Sequence, residues 1–369
     1  MIRKTAPLII AAFIAFATAG HCTTADDLVI QGRDYLKASP RNINAANLKF
    51  SNAVAQEPNN PNANVFRAIT RVLVLPNQSA GSNFLNKIGI SKQGRDLFNW
   101  TAKIATTSDG SVKVPSMKAS EATDLLRNNI LPDWLGAETN LAKITDTNFT
   151  LTLTAEETGS SAVTLDYGDI QLFRAGLKVG ALFIYTTHAW NLDAQIADII
   201  KVANDSGLKG IADNYPKLLT YATTADLATA KAAFQSAVSL YLTGSQFIRN
   251  RTAVDNQLFN WDASMSSSEE KFRLTLIDLT NSLAGPVTLS QNQNCSVNAA
   301  QFFNATNTIR SFLPSFGRKE FILGSLPDPT FGGIVSGLTR SEVEKTVASK
   351  LSPLLRAPRG DIVKRFVIH

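Results

Sequence analysis

Between Leu28 and Leu75, small and aromatic residues recur at helical spacing, and their order leaves few folds open. Leu28, Gly32 and Tyr35 fall on one face of a first helix; Ala46, Phe50 and Ala53 fall on one face of a second, which Pro58 ends. Glycine and alanine let two helix backbones approach closely, and aromatic rings fill the remaining gap. The pattern predicts a helix-turn-helix pair. The same Ala-x3-Phe-x2-Ala spacing returns at Ala230, Phe234 and Ala237, on an amphipathic helix predicted over 224–248, with a weaker echo at Ala299, Phe303 and Thr306. Ordinary close packing of two helices explains the later copies as well as a true repeat does.

Caps and apolar stripes place the other helices. The sequence predicts a helix over 120–144 with a bend at Pro132, and a long apolar helix capped by Asp169 that ends near Trp190. Residues 195–203 continue after a turn. Ser266 with Glu269 forms a capping box ahead of Phe272, Leu276, Leu279 and Leu283, and Thr339 with Glu342 forms another. Within 148–167, Phe149, Leu151 and Leu153, then Val163, Leu165 and Tyr167, alternate around a Glu-Thr-Gly-Ser turn. This predicts a β-hairpin inserted into a helical protein. Residues 285–297 read as polar and irregular. Closely spaced Pro and Gly over 313–337 predict a segment that wraps the helical body.

The run from Leu28 to Pro58 resembles a tetratricopeptide repeat. It departs by about two extra residues in the turn near Ser39–Asn42, and Arg67 and Arg71 stand where a following repeat expects apolar residues. TLTLTAEETG, LDYGDIQLFRAGLKVG, NYPKLLTYAT with AKAAF, and SLPDPTFGGI are together similar to a set of uncharacterised secreted bacterial proteins that begin with such a segment. That resemblance spans most of the chain and implies an extracytoplasmic, mostly α-helical architecture with no established catalytic residues. The expected fold is mostly α. A tetratricopeptide-like segment over 26–110 precedes a helical body over 111–312 carrying the hairpin, and residues 313–369 form an irregular stretch, a short helix and a basic tail.

Arg3 and Lys4 precede an apolar run over 7–19 that is too short for a finished membrane span, so residues 1–19 read as a cleaved signal peptide. An extracytoplasmic location follows: periplasmic, outer-membrane-associated or secreted. Cys22 has three fates open to it: lipidation, a disulfide with Cys295, or removal. Loss of Arg3 and Lys4 lowers the formal charge from +6 to about +4, a mild excess. Lys350, Arg356, Arg359, Lys364 and Arg365 face only Asp361 at the C-terminus, which reads as a solvated tail or a contact with an anionic surface. No motif supports nucleic acid, and no further apolar run predicts a transmembrane span in the mature chain.

Catalytic groups are scarce. The chain has 3 histidines, and with His21 at the processing site and His369 at the end, only His188 lies in the body. Nucleophile-elbow, zincin, P-loop and dinucleotide-binding patterns are missing. His188 reads as a helix-terminal histidine bonding a spare carbonyl before it reads as a base. Asp166 and Asp169, flanking Tyr167, are the carboxylate pair a glycosidase could use, although Asp169 reads first as an N-cap. Glu156 and Glu157 read as solvated turn residues. The tetrapeptide LFNW occurs at Leu97–Trp100 and Leu258–Trp261, and its tryptophans, with Trp190, suit either core packing or stacking on a ligand. Two cysteines cannot build a structural zinc site, and no metal or cofactor is expected.

These readings converge on a non-enzymatic scaffold binding a protein partner. The alternative is a glycan or small-ligand binder comparable to SusD-like lipoproteins, followed by a carboxylate-based hydrolase. The candidate ligand-binding residues are Trp100, Asp166, Tyr167, His188, Trp190 and Trp261; those for repeat packing are Gly32, Tyr35, Ala46, Phe50, Ala53 and Pro58.

Overall fold

The structure, a computed structural model, describes residues 23–97, 100–108, 110, 113–252, 256–261, 263–304, 330 and 332–337. The expected signal peptide, Cys22, Phe98, Asn99, Thr306, the Thr339–Glu342 cap and the basic tail lie outside the described residues. Within them the fold is mostly α-helical, with two small antiparallel sheets.

Helices α1 (Ala25–Lys37), α2 (Ile43–Gln56) and α3 (Pro61–Leu73) begin at the polar caps Thr24, Asn42 and Asn60, whose side chains accept amide protons that the first turn leaves unpaired. Ala46, Phe50 and Ala53 are all fully buried. A side chain on Gly32 would place its Cβ 2.4 Å from Phe50 Cε1, so the ring fills space that only glycine leaves. Phe50 in turn stacks on Phe66 of α3, with centroids 4.9 Å apart and planes 11° apart. Pro58 follows the Glu57 C-cap of α2. Tyr35 corrects the expectation: it is 37% exposed, because Phe66, arriving from the third helix, supplies the ring the gap needs. Arg67 and Arg71 are accommodated by polar partners. Arg67 donates to the carbonyl and side chain of Asn47, and Arg71 lies 3.5 Å from Asp133 and 3.2 Å from Asn140.

After α4 (Ser79–Lys87), α5 (Ala119–Leu125) and α6 (Leu131–Leu141) are joined by a π-helical turn over Leu126–Ile130, which is the form the expected bend takes. Pro132 lies just beyond it and has no amide proton for a regular ladder. Strands β1 (Thr150–Leu153) and β2 (Val163–Asp166) pair antiparallel from Thr150–Asp166 to Leu153–Val163, as the alternation predicts. The turn between them is not a plain loop: Ala155–Thr158 forms the short helix α7, capped by Thr154 and Glu157 in reciprocal bonds and closed by Gly159 at φ +79°. Glu157 is only 3% exposed, against the solvated reading, because Arg33 of α1 meets it at 2.6 and 2.9 Å.

The long helix α8 (Tyr167–Ala189) runs through the middle of the fold. It packs along α10 (Ala225–Asn250) on one side and α6 on another, while α9 (Ile196–Asn214) follows it in sequence. Gly168 and Gly244 set the α8–α10 approach: a Cβ on Gly244 would lie 2.9 Å from the Gly168 carbonyl oxygen. One apolar cluster joins α1–α3, α6, the hairpin and the start of α8; a second joins α6, α8 and α10 through Leu131, Ala181, Ile184, Tyr185 and Ala230.

Helix α11 (Ala263–Asn281) starts before Ser266, so the expected Ser266–Glu269 cap lies inside it. Glu269 is buried and accepts from Tyr241, Ser245 and Arg249 of α10; Phe272, expected on the buried face, is exposed, with its ring edge-on to Tyr241 at 5.1 Å. Residues 285–297 are also more regular than expected. They form β3 (Val287–Leu289) and β4 (Asn292–Val297), with Asp278 accepting the Ser290 amide at 2.7 Å and its hydroxyl at 2.9 Å. The short helix α12 (Ala299–Phe302) follows, and β5 (Val335–Ser336) adds to β4. Residues 330 and 332–337, which include β5, are the described part of the segment expected to wrap the body.

Candidate functional site

The six candidate binding residues do not meet. Asp166 and Tyr167 lie at the N-terminal end of α8, while His188 and Trp190 lie at its C-terminal end. At 1.5 Å per residue these ends are about 30 Å apart.

At the first end the capping roles are the reverse of those expected. Asp166 is the N-cap, accepting the Asp169 amide at 3.2 Å, and Asp169 reaches back to the Asp166 amide at 2.9 Å. The structural role that the sequence could not supply for Asp166 is therefore the cap itself. Arg251, just past the end of α10, donates to Asp166 and to the carbonyl of Phe259, with Asp169 at 3.7 Å. Both carboxylates are buried. Burial pushes Asp169 up to about 6, against the bond from the Asp166 amide and the nearby Arg251 charge; the Asp166 carboxylate adds to the rise. A closed cluster of this kind fixes the start of α8 against the end of α10. Tyr167 is half-buried with its ring edge-on to Phe247 at 5.4 Å.

The second LFNW copy is placed by β2. The Leu258 amide donates to Thr164, and the Thr164 amide donates to Asn256. Phe259 then contacts Phe173 of α8, and the half-buried Trp261 tilts onto Phe259, each at 6.2 Å. Trp100, in the first copy, is 41% exposed. It stands directly before Thr101, whose amide donates to the carbonyl of Gly94, a residue at φ +86°. The two copies thus stand in unlike environments.

At the far end of α8, His188 Nδ1 lies 2.6 Å from Asp226 in the first turn of α10, and its Nε2 lies 3.4 Å from Asp124. Arg127 shares Asp226 at 3.3 Å and lies over the Tyr185 ring at 4.9 Å. The expected carbonyl partner is replaced by carboxylates that tie α5, α8 and α10 together. Trp190 is buried and stacked on Tyr221 at 4.6 Å, which makes it a packing residue.

Concave apolar surface lies elsewhere, on the flanks of α8. One groove of about 510 Å³ runs between α3, α6, α8 and the 256–261 stretch, with walls that include Val65, Ile69, Val72, Trp134, Phe173 and Phe259. Another, of about 500 Å³, lies between α8, α10, α11, β4 and α12, with Val179, Phe183, Phe234, Val297, Phe302 and Ile334 in its walls. Apart from Phe234 and Phe259, which the sequence marks for packing or as part of an LFNW copy, these residues are not singled out in the sequence. Their signal was present: Leu172, Phe173, Leu177, Val179, Leu182 and Phe183 spread around more of α8 than one buried face needs. Among the described residues no helix is long and apolar enough to cross a membrane, and no three His, Cys, Asp or Glu side chains are placed so that they could hold a metal ion together.

No protein-family model, no curated protein and no solved structure matches the chain.

Proposed function

We propose that the chain is an extracytoplasmic, non-enzymatic scaffold that binds a protein partner along the groove between α3, α6 and α8. The observation that carries this reading is the groove itself. It is about 510 Å³, walled by apolar side chains, and flanked by Phe173, which is 37% exposed. A concave apolar surface framed by packed helices suits an amphipathic helix or an apolar loop of another protein. The closed Asp166–Asp169–Arg251 cluster favours binding over carboxylate-based hydrolysis. Arg3, Lys4 and the apolar run over 7–19, together with the resemblance to secreted bacterial proteins, support the extracytoplasmic location.

A small apolar ligand is the second reading, favoured by a groove volume within the range of ordinary ligand sites. A glycan is supported less, because of the candidate tryptophans Trp190 is buried and Trp261 half-buried, which leaves Trp100 as the exposed one.

A photo-crosslinking residue placed at Phe173, with one at exposed Ser160 as control, tests the proposal in a cell-envelope fraction. One protein adduct formed at Phe173 and absent at Ser160 is expected. Equal labelling at both positions, or none at Phe173, would overturn it.

A further inference from the structure

The second groove faces the point where the described chain stops. Ile334 forms part of its wall, β5 pairs with β4, and Val297 of β4 forms another part. Gly337, just past β5, packs so closely on β4 that an added Cβ would lie 1.9 Å from the Asn294 carbonyl oxygen. The chain is thus held against this groove as it leaves the described fold, and residues 338–369 follow. On the α8 side of the groove, Val179 is 53% and Phe183 61% exposed, although both lie on the central helix of the fold.

The sequence beyond Gly337 has the complementary pattern. The Thr339–Glu342 capping signal precedes Val343, Val347 and Leu351, whose spacing places them on one helical face. Ser341, Lys345 and Ser349 fall on the opposite one. Pro353 breaks that periodicity, and Leu354 and Leu355 follow it. Twelve residues at helical rise, 340–351, span about 18 Å, enough to cover the stretch of α8 from Val179 to Thr186 at about 10 Å.

We propose that the groove between α8, α10, β4 and α12 is the seat of the chain's own segment Leu338–Leu355, with Val343, Val347 and Leu351 covering Phe183 and Val179. Attachment at β5 makes the contact intramolecular. Its effective concentration is then far above that of any free partner. The partner groove between α3, α6 and α8 stays open, so this assignment does not depend on the function proposed for it.

The test is limited trypsin cleavage after Lys350 in the full mature chain, followed by mass spectrometry. Phe183→Asp and the double change Val343→Asn with Val347→Asn are each expected to speed this cleavage about tenfold, because cleavage follows the population of the undocked segment. Combined, they should be no faster than either alone, since both break the same contact. Val179→Asp serves as a second groove variant if Phe183→Asp lowers the melting temperature of the helical body. Unchanged cleavage in the groove variants, or effects that multiply, would overturn the proposal. Protection that fades on dilution would also overturn it, by assigning the groove to a second copy of the chain. Crosslinking at Phe173 reads the other groove, so the two readings fail separately.

Discussion

Asp169 is a carboxyl group whose burial outweighs the charge and amide that favour its ionised form, and it is pushed up to about 6. An unfolded aspartate titrates near 3.9, so between about pH 4 and 6 the folded chain holds the extra proton. The stability this group contributes is therefore full below the unfolded value and is lost as pH rises through the folded one. Asp169→Asn keeps an oxygen able to accept the Asp166 amide and removes the titration. The wild type should lose more of its urea midpoint than the variant between about pH 4 and 7; parallel midpoints over that range would show that Asp169 titrates normally. The sequence identified this pair of carboxylates as the place to look. It did not separate their roles, because an aspartate at N-cap and one at N3 satisfy the same capping box, and only the pairing of β2 fixes where the helix begins.

At the scale of elements, the hairpin and the first helix are joined by Arg33. Its guanidinium bonds both Glu157 oxygens and the Thr152 carbonyl, and it lies over the Phe66 ring at 5.1 Å. Arg33→Met keeps much of the aliphatic bulk and leaves a buried carboxylate without its counter-charge. A loss of about 2–4 kcal/mol in urea unfolding is expected, below the full cost of an orphaned buried charge because the Thr154 amide still bonds Glu157. Glu157→Gln in the same background should recover part of that loss, and no recovery would assign the effect to packing alone. The strands were legible from the alternation of Leu151, Leu153, Val163 and Leu165, since each strand declares its own buried face. The α7 turn was not, because what makes Glu157 an inside residue is an arginine 124 positions earlier. The same reasoning covers Glu269, whose partners come from α10, and β3–β4, whose turn is fastened by Asp278.

Over the whole molecule, the apolar cluster that starts in α1 ends in α8 and includes both strands of the hairpin, so the insertion is part of the core. Leu165, buried at 1% exposure, tests this. Leu165→Ala should cost about 2–5 kcal/mol and lower hydrogen-exchange protection in α2 and α3 along with that of the hairpin. A loss confined to hairpin amides would make the hairpin an appendage.

The sequence by itself determined that this is a mostly α-helical chain, where most of its helices run, and that the first two pack through Gly32, Ala46, Phe50 and Ala53, since caps, breakers and periodicity act within a turn or two of the chain. Tertiary structure decided what those helices surround. It buried Trp190, left Trp100 in solvent, closed Asp166 and Asp169 under Arg251, and opened apolar grooves on both flanks of α8. Exposure at each of these places depends on residues far away in sequence, and no local pattern carries that distance.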